Sequence, residues 1–168
     1  MIKYKNFIVY PECANIPINN LKRESQNNQY VITSIVENDF NKLVIYHNEK
    51  RVYERAKYRI YKDENVLQGI YKPEVIELGN KKVLVLICYE ILFPEDYIKK
   101  IKDVDIIIHI VGFPMYDENQ KEGWIGMQKI LHSIFDCPVV CSCGGEKSDM
   151  NITGIVDKST IIDNKRGV

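Results

Sequence analysis

The stretch Val83–Glu95, VLVLICYEILFPE, decides how the rest of the chain is read. Five apolar residues, Val83 to Ile87, deliver Cys88 and then a turn at Tyr89-Glu90. Pro94-Glu95-Asp96 follows as a helix-start signal, with proline in the first turn and acids where a helix dipole favours them. A buried strand that ends in a thiol just before a turn and a helix puts that thiol at the carboxyl edge of a sheet, where open α/β sheets place their chemistry. A free thiol in an apolar run is equally a small core residue, and alone that is the default reading.

Outward from this stretch the chain alternates short β-like runs with a few amphipathic helices, which predicts an α/β layered sandwich in one domain, residues 1–168. Strands are expected at 7–10, 30–36, 42–47, 52–53, 75–78, 83–88, 104–111, 138–141, 152–156 and 160–162, with hairpin turns at Asn48-Glu49-Lys50 and Gly79-Asn80. Val104–Val111 is almost continuously apolar, as a strand covered on both faces should be. Residues 15–28 read as loop with at most one helical turn, 57–64 as an irregular polar segment, and 95–102 as a short helix whose lysines at 99, 100 and 102 face solvent. Trp124, Met127, Leu131, Ile134 and Phe135 recur at helical spacing and predict the best helix, over 120–136.

Composition narrows the function classes. The 168 residues are 45% hydrophobic and 27% charged, and 23 basic residues balance 23 acidic ones. A net charge of zero removes the broad electrostatic case for a nucleic-acid partner and permits self-association. The longest apolar run, Val83–Tyr89, is too short to span a bilayer. The odd cysteine count and the absence of a signal-like start predict reduced thiols and a cytoplasmic location. Cys137, Cys141 and Cys143 lack the paired knuckles of a zinc site and fit a half-buried strand, so no metal is expected. Cys13 reads as packing, His109 as a hydrogen-bonded core histidine, and Trp124 as core aromatic.

Besides Cys88, two places carry chemistry. Glu12 follows the first strand in YPEC, either as a solvated loop acid or as a positioned base. Lys57 opens KYRIYKDE, with Glu64 at its end, either as an exposed charged loop or as part of a site. A thiol with a free pKa near ~8.5 is mostly protonated at neutral pH and needs a partner to take its proton. A carboxylate can do that, and an ammonium can stabilise an oxyanion, so Glu, Lys and Cys suffice for attack on an amide-like carbon if they meet.

In order, YPE, K-x-R-I-x-K-x-E and ICYE-x-x-FPE resemble the nitrilase (carbon–nitrogen hydrolase) superfamily, and the likeness runs through residues 7–162. The resemblance implies a four-layer αββα sandwich. With six residues before Phe7, this one is expected to lack the first strand and helix of its relatives. It implies Glu12 as general base, Lys57 as oxyanion-stabilising lysine and Cys88 as nucleophile. Glu64 is then a second pocket glutamate, Tyr89 donates its backbone N–H to the oxyanion, and Phe113 shapes the substrate cleft. PECANIP and ICYEILFPE are most similar to the catalytic domain of apolipoprotein N-acyltransferases, although this chain carries no transmembrane helices. His132-Ser133 stands where relatives carry Arg-Ala, and Cys143 where many carry asparagine. The implied activity is hydrolysis of a small-molecule, non-peptide amide through a thioester, without metal or organic cofactor, by a homo-oligomer. A binding or regulatory homologue and an N-acyltransferase are the alternatives.

Overall fold

The computed structural model describes residues 1–158. Its strands form two five-stranded sheets. The first sheet holds β1 (Ile2–Tyr4), β2 (Phe7–Val9), β3 (Tyr30–Glu37), β4 (Phe40–His47) and β5 (Lys50–Ala56), side by side in chain order. The second runs β10 (Gly154–Val156), β9 (Val139–Cys143), β8 (Ile106–Val111), β7 (Lys81–Ile87), β6 (Val75–Leu78). β2–β3, β7–β8 and β8–β9 pair parallel, and the other neighbours pair antiparallel.

Alternation along the strands splits the core into three layers. Phe7, Val9, Ile32 and Ile45 of the first sheet face Val83, Val85, Ile87, Ile108 and Ile110 of the second and fill the space between them. The opposite face of the second sheet, Leu84, Leu86, Ile107, Val139 and Cys141, is covered by α2 (Glu118–Phe135). The opposite face of the first sheet, Ile8, Val31 and Val44, is plugged by Leu21 of α1 (Ile18–Glu24). The order is therefore α, β, β, α, as expected of the four-layer sandwich. α2 buries Trp124, Gln128, Leu131 and His132, a stripe at helical spacing. It starts on Asp117, whose side chain accepts from the Gln120 N–H, and ends on Asp136 in the left-handed region.

Several expectations change. Residues 18–24 form a two-turn helix where loop was expected, because Leu21 supplies the one apolar side chain that the outer face of the first sheet needs. No α-helix forms over 95–102. The chain instead makes two 3₁₀ turns, Cys88–Leu92 and Pro94–Asp96, followed by hydrogen-bonded turns to Lys100. Asp96 is drawn inward by Arg59 at 2.5 Å and Lys72 at 2.7 Å, which pins the turn before a costly helix nucleus can propagate. β9 is buried at every position, not half-buried, since α2 covers one face and the other sheet the second. The residues before Phe7 form β1, which pairs with β2. The strand expected at 160–162 lies outside the described residues.

Candidate active site

β7 carries five buried residues into Ile87, and the chain then reverses at Cys88 with φ +47°. A non-glycine residue in the left-handed region is strained, and such strain persists where the surroundings over-determine it. Here the surroundings are named. Glu90 is fully buried and accepts four hydrogen bonds: from the Ile87 N–H at 2.9 Å, the Tyr58 N–H at 2.7 Å, and the two Arg55 guanidinium nitrogens at 2.7 and 2.8 Å. One carboxylate thus ties the residue before Cys88 to the residue after Lys57. From the other side, His109 on β8 donates from Nε2 to the Cys88 carbonyl at 3.1 Å, while Gln128 of α2 binds its Nδ1 at 3.2 Å. Burial pushes the His109 imidazole down to about 4, so it is neutral and holds this arrangement as a single tautomer.

Glu12 lies just beyond β2, on a loop held by Thr33 Oγ1 to the Pro11 carbonyl at 2.9 Å and by the Cys13 N–H to Ser34 Oγ at 2.9 Å. Its carboxylate accepts from Asn41 Nδ2 at 2.7 Å, Lys57 Nζ at 2.7 Å and the Gly112 N–H at 3.1 Å, and its charge acts on the Cys88 thiol beside it. Lys57 extends from the end of β5, is 0% exposed, and spends a second N–H on Glu64 at 2.5 Å. Gly144 crosses directly over Gly112. A Cβ on Gly144 would fall 2.0 Å from the Gly112 carbonyl oxygen, so the crossing requires glycine there.

Burial and charge together hold the sulfur protonated. Burial raises the Cys88 thiol well above its ordinary value, the Glu12 carboxylate raises it further, and Lys57 pulls it back only in part. Lys57 is pushed down by burial and up by Glu12, Cys88 and Glu64, and the upward pull wins, so it stays an ammonium. The Cys13 thiol next door is also raised, chiefly by burial.

Above the cluster opens a cavity of about 320 Å³. Glu12, Glu64, Cys88, Tyr89 and Phe113 all line it, and Lys57 sits behind it, bonded to two of its walls. Tyr89 packs edge-on against Tyr61 at 5.4 Å and Phe93 at 4.9 Å, and Phe113 stands 79% exposed at the rim. The six residues singled out in the sequence therefore converge on one place. Four positioning groups were not singled out as such: Asn41, Arg55, Glu90 and the His109–Gln128 pair. Glu90 had a signal, an acid inside ICYEILF that must be paired if buried. Asn41 had none. Among the described residues no group of three or more His, Cys, Asp or Glu is arranged to hold a metal ion, and no helix is long and apolar enough to cross a membrane.

No protein-family model matches the sequence, and no curated protein matches it. Solved structures match the fold. An amidase from Nesterenkonia sp. AN1, with acrylamide added to its active-site cysteine, superposes with a TM-score of 0.64 at 11% identity over 82% of this chain and 65% of its own. The fold is that of the carbon–nitrogen hydrolases. A carbon–nitrogen hydrolase from Helicobacter pylori G27 gives 0.67 at 14% identity over 90% and 70% of the two chains. A carbon–nitrogen hydrolase superfamily protein from Xanthomonas campestris, with an arsenic adduct in its active site, gives 0.67 at 10% identity over 95% and 81%. This chain thus spans just under two thirds of the amidase's length.

Proposed function

We propose that this protein is a thiol-dependent carbon–nitrogen hydrolase acting on small, non-peptide amides. The observation that carries the reading is the Glu12–Lys57–Glu64 cluster, with N–O separations of 2.7 and 2.5 Å, packed against the Cys88 thiol at a cavity. Glu12 takes the thiol proton as the sulfur attacks the amide carbon. The oxyanion is met by Lys57, two of whose three N–H bonds go to Glu12 and Glu64, and by the Tyr89 backbone N–H. As the tetrahedral intermediate collapses, Glu12 returns its proton to the departing nitrogen. The C–N bond breaks and a thioester remains. Glu12 then deprotonates a water that attacks the thioester, the acid leaves, and the proton passes back to sulfur. No step needs a metal or organic cofactor. The fold likeness to an amidase and to carbon–nitrogen hydrolases supports this class of reaction.

The test is a panel of short aliphatic amides with Cys88→Ala and Glu12→Gln variants. Each variant is expected to lose at least about a thousandfold in kcat/KM while keeping the wild-type circular dichroism. Turnover retained by either one removes the mechanism. Product analysis with and without added amine separates hydrolysis from the acyl transfer that the N-acyltransferase-like motifs raise. A protein that turns over none of the panel is the regulatory homologue instead. Self-association, expected from the same resemblance, is read by sedimentation.

A further inference from the structure

The charge of the cavity wall is one-sided. Three carboxylates line it, Glu12, Asp63 and Glu64, and among the described residues no lysine, arginine or histidine does. Lys57 is fully buried behind the wall and already bonded to Glu12 and Glu64. Asp63 is exposed at the mouth. A second, independent observation concerns Asn41, which is 2% exposed and lines the same cavity. Its Nδ2 donates to Glu12, which fixes the orientation of the amide, and its Oδ1 has no hydrogen-bond partner. A buried acceptor left open is costly unless a ligand supplies a donor. Tyr61 and Tyr116 add aromatic faces that suit an apolar or cationic group.

We infer that the cavity selects amides whose non-reacting part is uncharged or carries an amine, and rejects those bearing a carboxylate. The selection comes from the Asp63–Glu64–Glu12 wall and from the N–H that Asn41 Oδ1 is free to accept. The inference rests on the hydrolase reading for the word amide, but not for the charge preference. At ~7 Å and an effective dielectric constant of ~40, each unit of like charge lowers occupancy by about fivefold to tenfold.

Two measurements test it. The first modifies Cys88 with a cationic methanethiosulfonate (aminoethyl) and an anionic one (sulfonatoethyl) at low salt, quantified on the Cys88 peptide by mass spectrometry. The cationic-to-anionic rate ratio in the folded protein should exceed that in the urea-unfolded chain at least tenfold and should shrink with added salt. Asp63→Lys, at an exposed site with no role in the chemistry, should cut the ratio by at least fivefold. Ratios equal in folded and unfolded protein, or a faster anionic reagent, overturn the inference. The second measurement compares kcat/KM for pentanamide, 5-aminopentanamide and glutaric monoamide. The monoamide should be at least tenfold poorer than the other two. A monoamide turned over as well as the others in a Cys88-dependent way sinks the charge preference alone. A selective Cys88 in a protein that hydrolyses none of the three sinks the hydrolase reading and leaves the preference standing.

Discussion

Replacing Glu90 by glutamine should unseat both halves of the site at once. The Glu90–Arg55 pair is almost wholly out of solvent, with side-chain exposures of 0% and 3%. In the variant one amide oxygen can still serve two of the four donors, but the amide NH₂ faces the other two, the Ile87 N–H and one guanidinium nitrogen. The guanidinium cannot shed its proton to escape, so a buried cation is left uncompensated. Removing one member of such a pair costs about 3–5 kcal/mol. With a urea m-value of ~2 kcal/mol/M for a domain of this size, the unfolding midpoint should drop by roughly 1.5–2.5 M. Adding Arg55→Met should recover part of the loss, with a coupling energy of at least ~1.5 kcal/mol in the double-mutant cycle. Because Ile87 precedes Cys88 and Tyr58 follows Lys57, kcat should fall about a hundredfold as both side chains drift, in protein kept folded by working well below the midpoint. A midpoint shift under ~0.5 M, or an unchanged kcat, refutes the argument that this carboxylate holds the elbow.

Glu64→Gln removes one of the negative charges that raise the Cys88 thiol, so iodoacetamide should label Cys88 faster at pH 8 while amide turnover slows as Lys57 loses an ionic anchor. Slower labelling would show that the charge account of the thiol has the wrong sign. His109 binds a proton only near pH 4 when folded but near ~6.5 when unfolded, so the unfolded chain takes up protons first as pH falls. Stability from this residue is complete above ~6.5 and is lost by roughly 3 kcal/mol on descending to ~4. His109→Gln should lack that component in chemical denaturation series, and identical wild-type and variant pH profiles would remove it.

The elements around Cys88 were legible because each rests on local physics. Val83–Ile87, and Ile106–Val111 apart from His109, are apolar without alternation, and both are buried strands. The Gly79-Asn80 hairpin needs a positive φ, which Gly79 supplies at +64°. The α2 stripe follows from spacing alone. What failed was decided at long range. Pro94-Glu95-Asp96 carries every local mark of a helix start, yet Arg59, 37 residues away, takes Asp96 and ends the matter in a 3₁₀ turn. Glu90 meets an arginine 35 residues upstream, and Glu12 meets a backbone N–H 100 residues downstream. Asn41 is one polar residue at the start of a strand, and only the fold gives it Glu12 as a neighbour. The six candidate residues were singled out because motif order, not spacing, points to them.

The resting charges bear on how such a site works. With Lys57 an ammonium between two carboxylates, the cluster already carries one excess negative charge, and a standing thiolate would add a second in a buried volume. Burial first, and this charge second, keep the sulfur as a thiol. Moving its proton onto Glu12 leaves the total unchanged, and the charge that then appears on sulfur passes to the substrate oxygen as the C–S bond forms. The site therefore has no reason to store a thiolate before substrate arrives. In the proposed mechanism the substrate carbon receives the electron pair in the same step that Glu12 receives the proton. A thiol held this way is guarded against oxidation, which requires thiolate character, while remaining one short proton transfer from attack. The same geometry explains the backbone strain at Cys88. A left-handed turn at the strand end brings the sulfur to the Glu12 carboxylate, and Glu90 and His109 hold that turn from either side.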